Sequence, residues 1–308
     1  MALLTTEQVI AKLQQGQSLG QSELSRINLR GAILDQGNFT GAYLRKANFN
    51  QASCQAINFS YASLYFASLC EANLRRSNLN QAYLNSANLT QANLREIQAQ
   101  KTIFRWAILD KIDAKSGQFM GAVFINAQGI AASFNSANLE QTDFSASNFA
   151  EADFTAAILR QANLTGASLT QTLWNKAYLE QTIFRQANLK AANFYQANLV
   201  GADFHQANLL AVNFEEVQLQ QAIFTEAKLS QVNLTEASLF GANLEGAHFS
   251  QVNFNAADLQ DANLENTFWK EVDFDNCLVA GAEFTNAKGL TKEQKLWLKQ
   301  NGALNVPD

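Results

Sequence analysis

A large apolar residue recurs at every fifth position along most of this chain, and that period decides what the chain can fold into. The series runs from Leu24 to Phe284 without an insertion, which makes 53 consecutive pentapeptides. We call this residue the centre of its pentapeptide. It is Leu or Phe except at seven positions: Cys54, Ala99, Ala114, Gly129, Trp174, Trp269 and Val279. A series of this length identifies a repeat architecture.

Neither a helix nor a flat strand can bury every fifth residue. In a helix, successive centres would lie about 140° apart around the axis, so no apolar stripe would form. In a strand, whose side chains alternate, successive centres would lie on opposite faces. A short extended piece followed by a corner satisfies the pattern, because the centre and the small residue two places before it then both point inward. The sequence therefore predicts a solenoid with coils stacked at about 4.8 Å.

The motif Ala-[Asn/Asp/Ser]-[Leu/Phe]-x-x resembles that of the pentapeptide-repeat proteins. It stands, for example, at residues 72–76 and 202–206, and the resemblance covers residues 22–289. The resemblance, rather than the period, implies a right-handed quadrilateral parallel β-helix with four pentapeptides per coil. We therefore expect an all-β solenoid of about thirteen coils.

Both open ends of such a solenoid need a cap. Thr5–Gln8 and Thr291–Gln294 each have the pattern of a capping box before an apolar helical face. We expect three parts: an N-terminal helical cap over 1–21, the β-helix over 22–289, and a C-terminal helical cap over 290–308.

In the C-terminal cap, we expect Leu296, Trp297 and Leu298 to cover the last coil. The family resemblance implies a second role for this end, because some members form a dimer there. A homodimer through the C-terminal cap is therefore a further prediction.

Residues 95–133 are the weakest part of the repeat. The centres Ala99, Ala114 and Gly129 are too small to fill their layers, which leaves a kink, a local loop or simple repacking as alternatives. On a three-sided solenoid these positions would stack into one hole, whereas four sides stagger them.

Composition narrows the class of protein. The formal net charge is −5, which disfavours direct binding of nucleic acid. Three scattered cysteines do not make a disulfide framework or a zinc site. No apolar run approaches the roughly 18 residues of a membrane span, and the N-terminus lacks the basic region of a signal peptide. We expect a soluble, cytoplasmic protein without membrane contact.

The sequence offers no catalytic motif. His205 and His248 lie 43 residues apart and fall on different faces of a four-sided coil. Asp203 lies beside His205, but the pattern places no nucleophile near them. The Asn and Asp residues before the centres belong to the repeat and do not indicate a metal site. We predict a protein that is not an enzyme and that holds no cofactor or metal.

On coils of twenty residues, one outward column is rich in aromatic, basic and branched side chains. We call it the docking column, and its members are Tyr43, Arg45, Lys46, Tyr65, Phe66, Tyr83, Ile103, Arg105, Trp106 and Ile125. Aromatic residues and arginine are enriched in protein–protein hot spots. Stacked aromatics can instead hold neighbouring coils together, as cross-strand pairs do. The sequence leaves these two roles open.

A second face carries charge of both signs. Arg75, Arg76, Arg95 and Lys115 lie towards its N-terminal end, and Glu215, Glu216 and Glu236 towards its C-terminal end. Residues 1–154 carry 12 basic and 11 acidic side chains, whereas residues 155–308 carry 10 and 16. Such a face is either solvated surface or a guide for a charged partner.

Two functions remain in view. The first is a non-catalytic scaffold or regulator that presents the flat faces of a β-helix to a protein partner; the Asn-rich repeats resemble those of cyanobacterial members, some of which regulate heterocyst differentiation. The alternative is a DNA mimic that binds DNA gyrase or another topoisomerase, as other family members do. Those members resemble acidic rods, and this chain is only mildly acidic.

Overall fold

The computed structural model describes residues 4–308, so the first three residues of the expected N-terminal cap lie outside the described part. Within it, the helices are α1 (Thr6–Gln14) and α2 (Lys292–Gln300). The named strands are β1 (Asn208–Leu210), β2 (Lys228–Ser230), β3 (His248–Ser250) and β4 (Phe268–Lys270). The chain forms two compact units, unit 1 (Met1–Ile158) and unit 2 (Leu159–Asp308).

Each unit is a β-helix with twenty residues per coil. In unit 1, residues pair in parallel with the residue twenty positions later, beginning at Glu23↔Tyr43. In unit 2 the same offset runs from Asn163↔Ile183 through the sheet β1-β2-β3-β4. Twenty residues are four pentapeptides, so the four-sided cross-section is confirmed.

Each pentapeptide ends in a tight corner. The amide of the residue three places after a centre donates to the carbonyl of that centre, as Ala47 does to Leu44 at 3.0 Å. The third residue of each turn has positive φ at every corner from Gln21 to Asn286. Positive φ at that position alone is the signature of a type II β-turn. The chain therefore turns by about a right angle after each short extended piece.

The interior of each unit is a stack of the centres. In unit 1, Phe124 lies between Phe104 and Phe144, with ring centroids 4.9 and 4.5 Å apart. In unit 2, Phe204 stacks between Phe184 and Phe224 at 5.0 and 4.8 Å. The residue two places before most centres is alanine, and it is also buried; a few coils hold a larger residue there, such as the fully buried Ile57 and Ile97.

The weak segment 95–133 neither kinks nor loops out. Its coils pair in register, for example at Gln98↔Gln118 and Asp113↔Ser133. The space that a side chain would fill at Gly129 is occupied by Phe149 of the next coil: a Cβ on Gly129 would lie 2.1 Å from the ring carbon Cε1 of Phe149. Simple repacking is therefore the correct alternative of the three.

Helix α1 begins with the predicted capping box. The backbone amide of Gln8 donates to the Thr5 hydroxyl at 3.3 Å, and the Thr5 amide donates to the Gln8 side chain at 2.9 Å. Val9 is fully buried, and the Thr6 hydroxyl donates to the carbonyl of Asn28 at 2.8 Å. These contacts fix the helix on the first coils of unit 1.

Helix α2 caps unit 2, with one correction to the expected lid. Leu298 is fully buried, and the ring of Trp297 stacks on Phe274 at 6.0 Å. The prediction that Leu296 covers the last coil is wrong, because its side chain is 59% exposed. Positions 296 and 298 cannot both face the coil, since side chains two apart on a helix point about 200° away from each other. The predicted homodimer stays a prediction.

Removal of the α2 capping box is expected to cost about 1 kcal/mol of unfolding free energy. Thr291→Ala deletes the hydroxyl that accepts from the Gln294 amide at 3.2 Å. The change also loosens Gln294, whose side chain donates to the carbonyl of Val272 at 2.7 Å. Denaturant unfolding followed by circular dichroism measures the loss. The matched control is Thr170→Ala on the β-helix surface, and equal midpoints for the two variants would contradict the prediction.

Candidate functional site

The structure brings all ten residues of the docking column onto one face of unit 1. Its backbone forms a parallel ladder from Tyr43 through Ser63, Tyr83 and Ile103 to Val123. The remaining members follow these positions by two or three residues, so their side chains form two further outward columns. The sequence prediction that these side chains are neighbours is therefore correct.

Some members of the docking column hold adjacent coils together. The rings of Tyr65 and Tyr83 stack at 5.9 Å with an interplanar angle of 10°. The guanidinium of Arg45 lies 5.7 Å from the ring centroid of Phe66, which is cation–π geometry. These four side chains contribute to coil packing in addition to forming a surface.

Other members remain available to solvent. The side chains of Tyr43 and Trp106 are 54% and 55% exposed. Within residues 4–308, no carboxylate lies within 4.0 Å of the Arg105 guanidinium. Between the exposed groups lies Asn85, whose side-chain oxygen is buried and has no hydrogen-bond partner. Nothing in the sequence distinguishes Asn85, because an amide one place after the centre is common in the repeat.

The basic side chains of the second face in unit 1 are largely paired. Arg75 and Arg76 both bind Glu96, each with a nitrogen–oxygen distance of 2.6 Å. Arg95 binds Asp113 at 2.6 Å. The arginines hold the pKa of Glu96 below its ordinary value, chiefly through the hydrogen bonds of Arg76 and Arg75. The local excess of positive charge is therefore smaller than the sequence column suggests.

In unit 2, the glutamates of that predicted column surround a tyrosine. The Tyr195 hydroxyl donates to Glu216 at 3.2 Å. Desolvation raises the pKa of Tyr195, and the charges of Glu216, Glu215 and Glu236 raise it further. This surface is an acidic one.

The one residue grouping that the sequence offered for catalysis does not assemble. His205 Nδ1 lies 2.7 Å from the Thr225 hydroxyl, but Asp203 does not orient that ring. The Asp203 carboxylate instead accepts from the His205 backbone amide at 2.9 Å and from Arg185 at 2.5 Å. An acid–base relay needs the carboxylate on the imidazole. The contacts of Asp203 hold coils together.

Two of the three cysteines are buried, and the described residues contain no metal-binding cluster. Burial raises the pKa of the Cys54 thiol, and it raises that of Cys277 to about 12. Across residues 4–308, no group of three or more His, Cys, Asp or Glu side chains is placed to hold a metal ion. In the same residues, neither helix has the length and apolar character that crossing a bilayer requires.

One surface escaped the sequence analysis. The strands β1–β4 and their neighbours in unit 2 carry a basic face within an acidic half of the chain. We call it the lysine face, and it comprises Lys190, Lys228, His248, Phe268, Lys270 and Lys288. The net acidic charge of residues 155–308 concealed this basic face in the sequence.

Comparison with known families identifies the family of this protein. The family described as pentapeptide repeats (8 copies) matches at 22–53, 38–76, 57–96, 77–113, 132–171, 147–186 and 253–288. A second description, pentapeptide repeat region, matches residues 167–244. The matches cover more than half of the sequence. The chain belongs to the pentapeptide repeat family.

Solved structures of other pentapeptide repeat proteins are similar to this one. HetL from the cyanobacterium Nostoc sp. strain PCC 7120, a protein involved in heterocyst differentiation regulation, is 24% identical; the match covers 91% of this chain and 97% of HetL, with a TM-score of 0.25. Full-length QnrB1, a plasmid-mediated fluoroquinolone resistance protein, is 17% identical over 67% and 90% of the two chains, with a TM-score of 0.25.

A third pentapeptide repeat protein, from the Arabidopsis thaliana thylakoid lumen, is 26% identical over 46% and 78% of the two chains, with a TM-score of 0.19. No curated protein matches the chain in sequence. With TM-scores this low, the fold assignment rests on the family match and on the coil geometry.

Proposed function

We propose that this pentapeptide repeat protein is a non-catalytic interaction scaffold or regulator, and that the docking column of unit 1 binds a protein partner. The observation that carries the proposal is the exposure of Tyr43 and Trp106 beside Arg105, which has no carboxylate within 4.0 Å in the described chain. Tyr, Trp and Arg are the residues most enriched among the hot spots of protein interfaces.

The geometry of the column suits a flat partner surface. Its strand positions are held by the backbone ladder, so the backbone beneath the column is already ordered before binding. Stacking of Tyr65 on Tyr83 fixes two more rings before any partner arrives.

The test is an affinity capture from the organism that encodes the chain, compared between three proteins. Arg105→Glu with Trp106→Ala is expected to lose the specific partner, because it reverses a charge and removes an exposed hot-spot ring. The control, Lys176→Glu with Phe240→Ala, makes the same kinds of change on exposed residues of unit 2. A partner retained equally by all three proteins would refute the docking column.

A second candidate, mimicry of DNA, is favoured by one observation in unit 2. Two of its faces each carry five carboxylates and a single basic side chain. Their acidic residues are Asp203, Glu226, Glu245, Glu265 and Glu283 on one face, and Glu215, Glu216, Glu236, Asp273 and Asp275 on the other.

A gyrase supercoiling assay tests this candidate. Inhibition by the wild-type protein at micromolar concentration, relieved by Glu215→Lys with Glu236→Lys, would support it. An unchanged supercoiling rate would exclude it.

A further inference from the structure

The lysine face of unit 2 is a flat parallel sheet with a basic outer surface. The register places Lys228 opposite His248, His248 opposite Phe268, and Phe268 opposite Lys288. Lys270 follows Phe268 by two residues on the same coil. From the strand spacing, Lys228 and Lys288 lie roughly 14 Å apart along one column.

The aromatic groups of this face are closed to further stacking. The rings of His248 and Phe268 stack on each other at 4.6 Å with an interplanar angle of 18°. The Lys288 ammonium lies 5.3 Å from the Phe268 centroid, on the side of the following coil. Both faces of the Phe268 ring are therefore covered, and its 41% exposure leaves mainly its edge to solvent. A ring edge carries partial positive charge, which adds to that of the lysines.

Most of the positive charge of the lysine face is not neutralised within unit 2. Its pentapeptides contain one carboxylate, Glu271, which lies 3.8 Å from the Lys270 ammonium. Within residues 4–308, the ammonium groups of Lys190, Lys228 and Lys288 have no carboxylate within 4.0 Å. The pentapeptides immediately before and after this face along each coil form the two acidic faces described above. The lysine face is thus a narrow basic strip between acidic surfaces.

A recess at one end of the strip has a matching lining. Its volume is about 510 Å³, and its walls are Asn266, Phe268, Asn286, Ala287, Lys288 and Pro307. The polar side chains of this lining are two amides and one ammonium, and none is acidic. A carboxylate is the side-chain group that such a lining accepts.

We propose that the lysine face binds an extended acidic segment of a partner protein. Charge complementarity selects an anionic occupant. The geometry limits its width, because each pentapeptide contributes only three outward residues and the neighbouring faces carry repelling carboxylates. An extended peptide fits a strip of that width. A nucleic acid does not fit it, since its bases find no open ring on which to stack and its backbone meets the acidic faces.

The experiment measures binding of a fluorescein-labelled twelve-residue glutamate peptide to the full chain by anisotropy. At low salt the wild-type protein is expected to bind, and the affinity should fall as salt rises. Lys228→Glu with Lys288→Glu should weaken binding about tenfold or more, because it reverses two of the strip's charges. Circular dichroism confirms that the variant is folded.

Two controls separate this site from net charge and from the docking column. Lys176→Glu with Lys292→Glu makes the same change in net charge elsewhere in unit 2 and should retain binding within about twofold. Arg105→Glu with Trp106→Ala, in unit 1, should also retain it. Peptide binding by that variant would support the lysine-face proposal even if the docking column bound no partner.

Four outcomes would overturn the proposal. The first is absence of peptide binding at low salt, and the second is an equal loss in both lysine variants. The third is tighter binding of a twelve-nucleotide single strand than of the peptide, which would assign the strip to nucleic acid. Sedimentation of the protein alone gives a further check: self-association abolished by Lys228→Glu with Lys288→Glu would make a second copy, not an acidic partner, the occupant.

Discussion

Replacement of Phe134 by alanine is expected to lower the free energy of unfolding by about 3–5 kcal/mol. The ring is fully buried in unit 1. Its centroid lies 5.3 to 6.3 Å from those of five other rings: Phe119, Phe124, Phe144, Phe149 and Phe154. Each of these five residues is the centre of its own pentapeptide, in a coil held by backbone pairing. The rings therefore cannot move far enough to fill the cavity. Denaturant unfolding followed by circular dichroism measures the effect.

An exposed phenylalanine provides the control. Phe240 is 43% exposed, and Phe240→Ala should change the unfolding free energy by less than about 1 kcal/mol. If Phe134→Ala cost no more than that control, the aromatic stack of unit 1 would not be the main source of its stability.

Replacement of Gly129 by leucine is expected to lower the free energy of unfolding by about 3 kcal/mol, because it overpacks the interior. Gly129→Leu restores the residue that most other pentapeptides have at their centre. A Cβ there would lie 2.1 Å from one carbon of the Phe149 ring and 2.4 Å from another. That ring cannot move aside, because it packs against Phe144 at 5.0 Å and Phe124 at 6.0 Å. Overpacking of this kind costs 1–3 kcal/mol or more.

A double-mutant cycle tests the cause of that loss. Phe149→Ala makes room for the new leucine, so Gly129→Leu should be much less harmful in that background than in the wild type. Equal costs in the two backgrounds would show that the clash with Phe149 is not responsible. A Gly129→Leu protein at least as stable as the wild type would contradict the prediction outright.

The five-residue period alone was enough to predict which residues form the interior of this protein. It placed the centres and the small residues before them inside, as at Phe204 and Ala202, which are both buried. It could not determine the number of sides, because any solenoid that turns once per pentapeptide buries the same residues. Four sides came from the family resemblance and were confirmed by pairs such as Asn188↔Asn208.

The corner conformation was beyond the reach of residue preferences. Gln and Glu rarely adopt positive φ, yet residues such as Gln206 and Glu226 do so at 56° and 58°. The positions of the glycines within the pentapeptide did indicate this conformation. Gly31, Gly41 and Gly201 all fall two places after a centre, where a left-handed residue is required.

The candidate surfaces were predictable in part. The twenty-residue coil brings Tyr43, Tyr83 and Trp106 to one face, as the sequence column indicated. Which aromatics pack and which stay free depends on side-chain torsions that the pattern does not specify. Leu296 shows the same limit, since the amphipathic pattern of α2 did not reveal which of three adjacent apolar residues faces the last coil.

The glycine at position 129 and the ring above it also bear on how the chain finds its correct alignment. Coils that are nearly identical could pair one coil out of step at little cost, which is a folding hazard of repetitive sequences. In such a misaligned state, Phe149 would lie over Leu109 in place of Gly129 and would meet a full side chain. The irregular coil therefore favours the correct register of the coils, because only in that register does the Phe149 ring occupy the space beside Gly129.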